Sequence, residues 1–179
     1  MTVPIPLKIL QDAYGDVDII TLQEVSSSFI DQARKSKLGK TYHIVAPADL
    51  DAVRDQNSVI FLKKELFPHG SDVEITPLVE SSFPEGVDVP VAKGDILAIT
   101  AKNKFGVDFV IASFHGDTNG LATKPVVDAT VKAMKSDSTL NNHRLVFGMD
   151  ANTYENAKPS KQQDVLDFAK SYVSHGMTS

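Results

Sequence analysis

Val107-Asp108-Phe109-Val110-Ile111-Ala112-Ser113-Phe114-His115-Gly116-Asp117-Thr118-Asn119-Gly120 opens as an apolar run and closes as a polar loop with two glycines. The run from Phe109 to Ala112 is rich in β-branched and aromatic residues and reads as a buried strand. The loop after it carries an imidazole, a carboxylate and an amide on a rigid support, a common way to build a site. Two other stretches repeat the design. Leu145-Val146-Phe147 leads into Gly148-Met149-Asp150-Ala151-Asn152, and Val17-Asp18-Ile19-Ile20-Thr21-Leu22 leads into Gln23-Glu24. Three strands therefore end on acidic, amide or imidazole groups.

Around these strands the pattern alternates between strand and helix. Residues 7–14 read as a helix stopped by Gly15, and residues 29–35 as a second one capped by Ser26, Ser27 or Ser28. Short strands are expected at 42–45 and 58–62, with His69-Gly70-Ser71-Asp72 as turn chemistry. Residues 73–79 read as a strand interrupted by Pro77, hence an edge or a strand end. Residues 81–93 hold Pro84, Gly86 and Pro90 and read as a surface loop. Residues 96–101 and 107–114 form a hairpin across Asn103-Lys104-Phe105-Gly106. Residues 122–135 read as a helix with Pro125 in its first turn, and 161–173 as a last helix with a Ser160/Gln163 capping box. Mixed hairpins, strands and helices imply an α/β sandwich rather than a pure βαβ sheet.

Composition bounds the function. The 179 residues suit one domain, and 42% apolar content is enough to fill its core. A formal net charge of −5 supplies no global basic field for nucleic acid, although a local basic groove remains compatible with it. The chain has no cysteine, which excludes disulfides, thiolate metal sites and cysteine nucleophiles. No apolar run has the ~20 residues of a membrane span.

Each strand end allows specific chemistry. Glu24 can reach a divalent cation, since a hard ion such as Mg²⁺ takes oxygen ligands and keeps several waters. On position alone, Glu24 reads equally as a surface carboxylate at a strand–helix junction. His115 can hydrogen-bond or protonate a phosphate oxygen, whereas a lone histidine is more often a satisfied, partly buried one. Asp117 can orient that imidazole and Asn119 can donate to an anion, or both can be plain turn residues. Asp150 and Asn152, two apart, can act together on one water. The alternative there is a turn at a strand end. Each feature alone is weak, and the three together are much stronger.

In order and spacing these residues resemble the endonuclease/exonuclease/phosphatase superfamily, whose fold is that of DNase I. Leu22-Gln23-Glu24 matches its Leu-Gln-Glu box. Ser113-Phe114-His115-Gly116-Asp117-Thr118-Asn119 matches its strand ending in His. Gly148-Met149-Asp150-Ala151-Asn152 matches its Gly-Asp-x-Asn box with one residue inserted. The strand from Asn57 to Phe61 resembles a segment that carries a substrate-contacting polar residue, which makes Asn57 the candidate there. The resemblance runs from about Leu7 to Tyr154.

The resemblance implies a four-layered sandwich, two packed mixed β-sheets flanked by helices. It also implies Mg²⁺- or Mn²⁺-dependent phosphoester hydrolysis by in-line attack of water. Glu24 would bind the metal, His115 contact the scissile phosphate, Asp150 position the nucleophile and Asn152 support it. Asn57, Asp117 and Asn119 would contact the substrate, a phosphoester with nucleic acid among the candidates. Two family features have no match: an upstream strand ending in Asn, and a closing Ser-Asp-His. His175 lacks the preceding Asp and reads as the end of the last helix. On this comparison residues 1–179 are a single domain of the family truncated at both ends, with an incomplete sheet and weak or absent catalysis. An Arg that would follow Asp-x-Asn in the inositol-polyphosphate branch is replaced by Thr153-Tyr154-Glu155, so the reading leans to nuclease over lipid phosphatase. The alternative class is a non-catalytic binding module that keeps the fold, and an incomplete sheet edge leaves pairing with a second copy open.

Overall fold

The computed structural model describes residues 5–68 and 72–179. The expected turn at His69-Gly70-Ser71 lies outside them. In chain order the elements are α1 (Ile5–Ala13), β1 (Ile19–Val25), α2 (Ser27–Lys35), α3 (Lys37–Thr41), β2 (Tyr42–Val45), β3 (Asn57–Lys63), β4 (Val73–Glu74), α4 (Thr76–Glu80), β5 (Ile96–Lys102), β6 (Asp108–His115), α5 (Thr123–Ser136), β7 (Arg144–Asp150) and α6 (Val165–Ser174).

The strands form two sheets, β1-β3-β2 and β4-β5-β6-β7. The first is antiparallel throughout, and the second is mixed, because β6 and β7 run parallel. Alternation along the strands explains the layers. On β3, Val59 and Phe61 face α1, α2 and α3, packing with Leu7, Leu10, Ile30, Ala33 and Leu38, whereas Ile60 and Leu62 face the other sheet. On β5, Ile96 and Ala98 face α4 and α5, while Leu97 and Ile99 meet Ile60 and Leu62 between the sheets. Successive side chains point to opposite faces, and both faces here are covered. That is why these strands read as unbroken apolar runs rather than alternating ones. Full burial of a side chain such as Phe61 on the helix side or Ile60 between the sheets contributes about 1.5–3 kcal/mol, so all three apolar layers stabilise the fold.

Two local readings are corrected. The expected strand over 73–79 is only Val73–Glu74, followed by the helical turn α4. Pro77 sits in the first turn of α4, where its missing N–H costs nothing. Thr76 Oγ1 accepts the Ala98 N–H at 3.0 Å, replacing the strand partner that the helix removes. The last helix begins at Val165, not near Lys161. Asp164 caps it, accepting from the N–H groups of Leu166 and Asp167 at 2.9 and 3.0 Å. Gln163 is held elsewhere, with its backbone N–H donated to the Asn119 carbonyl at 2.8 Å. No helix among the described residues is long and apolar enough to cross a membrane.

Candidate active site

Three strand ends meet at one rim of the sandwich. Near its end β1 departs from regular pairing: Leu22 faces Val59 and Val25 faces Asn57, so the register slips between them. The extra residue is absorbed as a bulge, and Glu24 takes φ = 56°. A left-handed conformation disfavours a residue with a Cβ and persists only where neighbours enforce it, often at functional sites. The bulge leaves the Glu24 side chain 58% exposed, with its Oε1 3.8 Å from His115 Nε2.

A polar clamp sets that distance. Gln23 Nε2 donates to Ser113 Oγ at 2.9 Å, and Ser113 Oγ donates to the Leu22 carbonyl at 3.1 Å. Ser113 is fully buried between the sheets, two residues before His115. The hydroxyl therefore fixes the ends of β1 and β6 together from within the core.

The β7 strand extends three residues beyond the expected Phe147, so Gly148, Met149 and Asp150 pair with Ser113, Phe114 and His115. Parallel register thus sets Asp150 beside His115. Gly148 lies against Thr21 of the opposite sheet, and a Cβ at this position would collide with the Thr21 hydroxyl and its Cβ. The glycine lets the sheets close at this end.

The loops after β6 and β7 are laced together. Asn152 Nδ2 donates to the Gly116 carbonyl at 2.7 Å, and the Asn152 N–H donates to Asp150 Oδ1 at 3.1 Å. Thr123 Oγ1 donates to the Ala151 carbonyl at 2.7 Å, and Tyr154 Oη to the Thr118 carbonyl at 2.6 Å. Asn152 adopts φ = 48° to make its contacts. Gly120 has φ = 68°, and a Cβ on it would sit 2.6 Å from the Asn152 carbonyl oxygen.

The result is a polar cleft of about 540 Å³ lined by Glu24, Arg54, Gln56, Pro90, Ala92, Asp95, His115, Gly116, Asp117, Thr118, Asp150 and Asn152. Five sequence candidates are together in it: Glu24, His115, Asp117, Asp150 and Asn152. Asp117 turns both carboxylate oxygens to its own loop, accepting from Asn119 N–H at 3.1 Å and Ala122 N–H at 2.8 Å. It therefore shapes the loop beside His115 rather than orienting the imidazole. Asn119 is exposed on that loop, outside the cleft lining, with its carbonyl taken by Gln163.

Asn57 is corrected. It is only 1% exposed, and both ends of its amide are engaged inside the protein. Its Oδ1 accepts the Asp51 N–H at 2.9 Å, and its Nδ2 donates to the Val25 carbonyl at 3.3 Å. It therefore braces the loop before β3 against the Glu24 bulge and does not open to the cleft.

Arg54, Gln56, Asp95 and Thr118 line the cleft without having been singled out in the sequence. Arg54 joins two buried carboxylates: Nε donates to Asp51 Oδ2 and Nη2 to Asp95 Oδ1, each at 2.7 Å. The Arg54 guanidinium beside Asp51 holds its carboxyl below the usual range, with the backbone N–H groups of Val53 and Arg54 adding to the effect. Asp95 and Asp51 in turn hold the Arg54 guanidinium protonated beyond its already high ordinary value. Nothing in a polar loop of Asp, Arg and Gln shows which of them will meet a partner from residues 92–95, which is why spacing alone did not mark Arg54.

Glu24, Asp150 and the cleft's amide and water-accessible surface are hard oxygen donors. Among the described residues no three His, Asp or Glu side chains converge closely enough to hold a metal by themselves. The donor set suits an ion such as Mg²⁺, which takes one or two carboxylates and fills its remaining positions with water and substrate oxygens. It does not suit a closed, all-protein metal cage. His175 caps α6 and pairs through Nε2 with Asp128 Oδ1 at 2.7 Å, outside the cleft lining.

No family model matches the sequence. Curated proteins give no sequence match either. Solved structures do match in three dimensions. The human Nocturnin catalytic domain with a bound sulfate anion superposes with a TM-score of 0.60 at 17% identity, over 94% of this chain and 60% of that one. ANGEL2, a 2′,3′-cyclic phosphatase, gives 0.57 at 16% identity, over 84% of this chain and 44% of that one. An endonuclease/exonuclease/phosphatase from Bacteroides vulgatus gives 0.54 at 14% identity, over 94% of this chain and 60% of that one. The chain thus spans between 44% and 60% of the length of these structures. With two packed sheets and helices on both outer faces, this chain has the DNase I-like fold of these structures.

Proposed function

We propose that this chain carries the catalytic cleft of a metal-dependent phosphoester hydrolase, a nuclease or phosphatase, in which water attacks phosphorus in line. The single observation behind this reading is the convergence of Glu24, His115 and Asp150 from three strands onto one polar cleft. The fold neighbours include a protein described as a 2′,3′-cyclic phosphatase and one solved with a sulfate anion, a tetrahedral oxyanion like phosphate.

In this reading His115 donates to a non-bridging oxygen of the scissile phosphate and opposes the charge that builds there. The Asp150 carboxylate accepts a hydrogen bond from the attacking water and holds it on the far side from the leaving oxygen. Asn152 spends its side-chain amide on Gly116 and its N–H on Asp150, so its part is to fix Asp150 and the His115 loop. Glu24 and Asp150 would hold Mg²⁺ or Mn²⁺. When bound, the ion would supply positive charge to phosphate and leaving oxygen in a cleft that otherwise carries several carboxylates.

A second reading is a phosphate-binding module without turnover. It keeps the same cleft residues as a site for an anion and asks no metal of them. Calorimetric titration with Mg²⁺, run on the wild type and on Glu24→Ala, separates the two. Binding that disappears in Glu24→Ala supports the metal-dependent hydrolase. No binding to the wild type favours the module. Hydrolysis of bis(p-nitrophenyl) phosphate by the protein, abolished by Asp150→Ala, completes the test, and unchanged turnover in that variant rejects the assignment.

A further inference from the structure

We infer that Arg54 is the residue that receives an oxygen of the substrate's phosphate through its free guanidinium nitrogen, Nη1; this rests on the phosphoester reading of the cleft. Among the residues lining the cleft, Arg54 is the one Lys or Arg, set among Glu24, Asp95, Asp117 and Asp150. An anion entering this acidic surroundings needs a donor that is already in place, because a mobile cation would be drawn to the carboxylates instead.

The structure fixes Arg54 from behind. Nε–H goes to Asp51, and Nη2 goes to Asp95 and to the Lys93 carbonyl, all at 2.7 Å. Those three bonds use the Nε hydrogen and both Nη2 hydrogens. Among the described residues, no hydrogen bond is made by Nη1, and the side chain is 37% exposed while both of its carboxylate partners are below 9%. Two donors therefore remain, both on Nη1.

The loop that carries Arg54 is equally fixed. Asp51 N–H is tied to buried Asn57, Asp51 Oδ1 accepts from Val53 and Arg54 N–H groups, and Asp55 accepts from the Ser27 N–H at 2.7 Å. Asp55 takes φ = 53° to turn the chain directly after Arg54. A donor whose geometry is set before the ligand arrives loses little entropy on binding. A guanidinium already balanced by two carboxylates adds direction more than net charge, so it orients the phosphate against His115 rather than drawing it in from solution.

The test is inorganic phosphate binding in the presence of Mg²⁺, followed by ³¹P NMR, for wild type, Arg54→Gln, Arg54→Lys and His115→Ala. Arg54→Lys keeps the charge and can still reach Asp51 or Asp95, but offers no second nitrogen. It therefore remains informative if Arg54→Gln, with both acids unpaired, fails to fold. The expected result is an affinity about tenfold weaker in folded Arg54→Lys. A purely structural tether would lower the melting midpoint and leave the phosphate affinity of the folded protein unchanged. Arg54→Lys binding within about twofold of wild type, with binding lost in His115→Ala, overturns the role of Arg54 and leaves the phosphoester reading standing. No phosphate binding to the wild type overturns both.

Discussion

Gln23 and Ser113 lie ninety positions apart in the chain and meet at 2.9 Å between the two sheets. Glu24 directly follows Gln23 and His115 lies two residues beyond Ser113, and these are the two groups that approach each other in the cleft. Stability and site geometry therefore share one hydrogen bond. Replacing Ser113 by Ala leaves the Gln23 amide and the Leu22 carbonyl without their partner inside the protein. The expected cost is about 1–3 kcal/mol, read as a lower urea midpoint at unchanged slope. In the proposed metal-dependent reading Mg²⁺ affinity should fall as well, since Glu24 loses its anchor. A variant as stable as wild type would show that the clamp is incidental.

Gly148 tests how closely the sheets approach. A single methyl at this position runs into the Thr21 side chain. Gly148→Ala should destabilise by about 1–3 kcal/mol, measured by urea unfolding. The double variant with Thr21→Ala should recover part of that loss and no more, because the Thr21 Cβ stands 2.8 Å from the added atom.

Asn152 separates backbone conformation from side-chain bonding. Ala and Gly both delete the amide bond to the Gly116 carbonyl, but only Gly accepts φ = 48° freely. Asn152→Ala should therefore be less stable than Asn152→Gly by about 1 kcal/mol. Phosphate binding should be weakened alike in both, since each frees the loop that bears His115. Thermal unfolding and the ³¹P titration together check the pair.

Acid should reveal the Asp51–Arg54 pair. The Asp51 carboxyl lies below its ordinary value in the fold, chiefly through its hydrogen bond from Arg54. Its stabilising contribution is therefore fully present above the unfolded value of about 4 and is lost as pH falls through the lowered folded value. Urea midpoints measured downward from pH 5 should decline more steeply in wild type than in Arg54→Met. Parallel declines would remove Asp51 from the acid limb.

Much of the fold was legible because its central strands are buried on both faces. Runs such as Val59-Ile60-Phe61-Leu62 and Val110-Ile111-Ala112 leave little room for another reading. Strand ends were less legible, since polar residues such as Asp150 and Glu24 look like loop until a partner strand supplies register. The reading of 73–79 failed for a different reason. Pro77 is as much at home in the first turn of a helix as at the end of a strand, and the choice is made by Thr76 finding Ala98, 22 positions away. The Ser160/Gln163 box failed because Gln163 is claimed by Asn119 across the site, which leaves Asp164 as the cap. In the cleft, the groups at or just after the ends of β1, β6 and β7 were legible, whereas Arg54 and Gln56, on the loop before β3, were not. Asn57 was read as a substrate contact from the resemblance of its segment, and an amide carries no mark of burial in sequence to set against that.

The parallel pairing of β6 with β7 places His115 opposite Asp150 at the last rung of a seven-pair ladder. In evolutionary terms this ladder is a reading frame. Insertions in the turn at 137–143 leave the frame intact, and the stretch can drift in length among descendants of the same ancestor. One residue added between Leu145 and Met149 shifts the frame by a rung, exchanges the faces of the strand and removes the carboxylate from the imidazole. Length variation in this lineage should therefore accumulate in the 137–143 turn rather than within the paired stretch from Leu145 to Gly148.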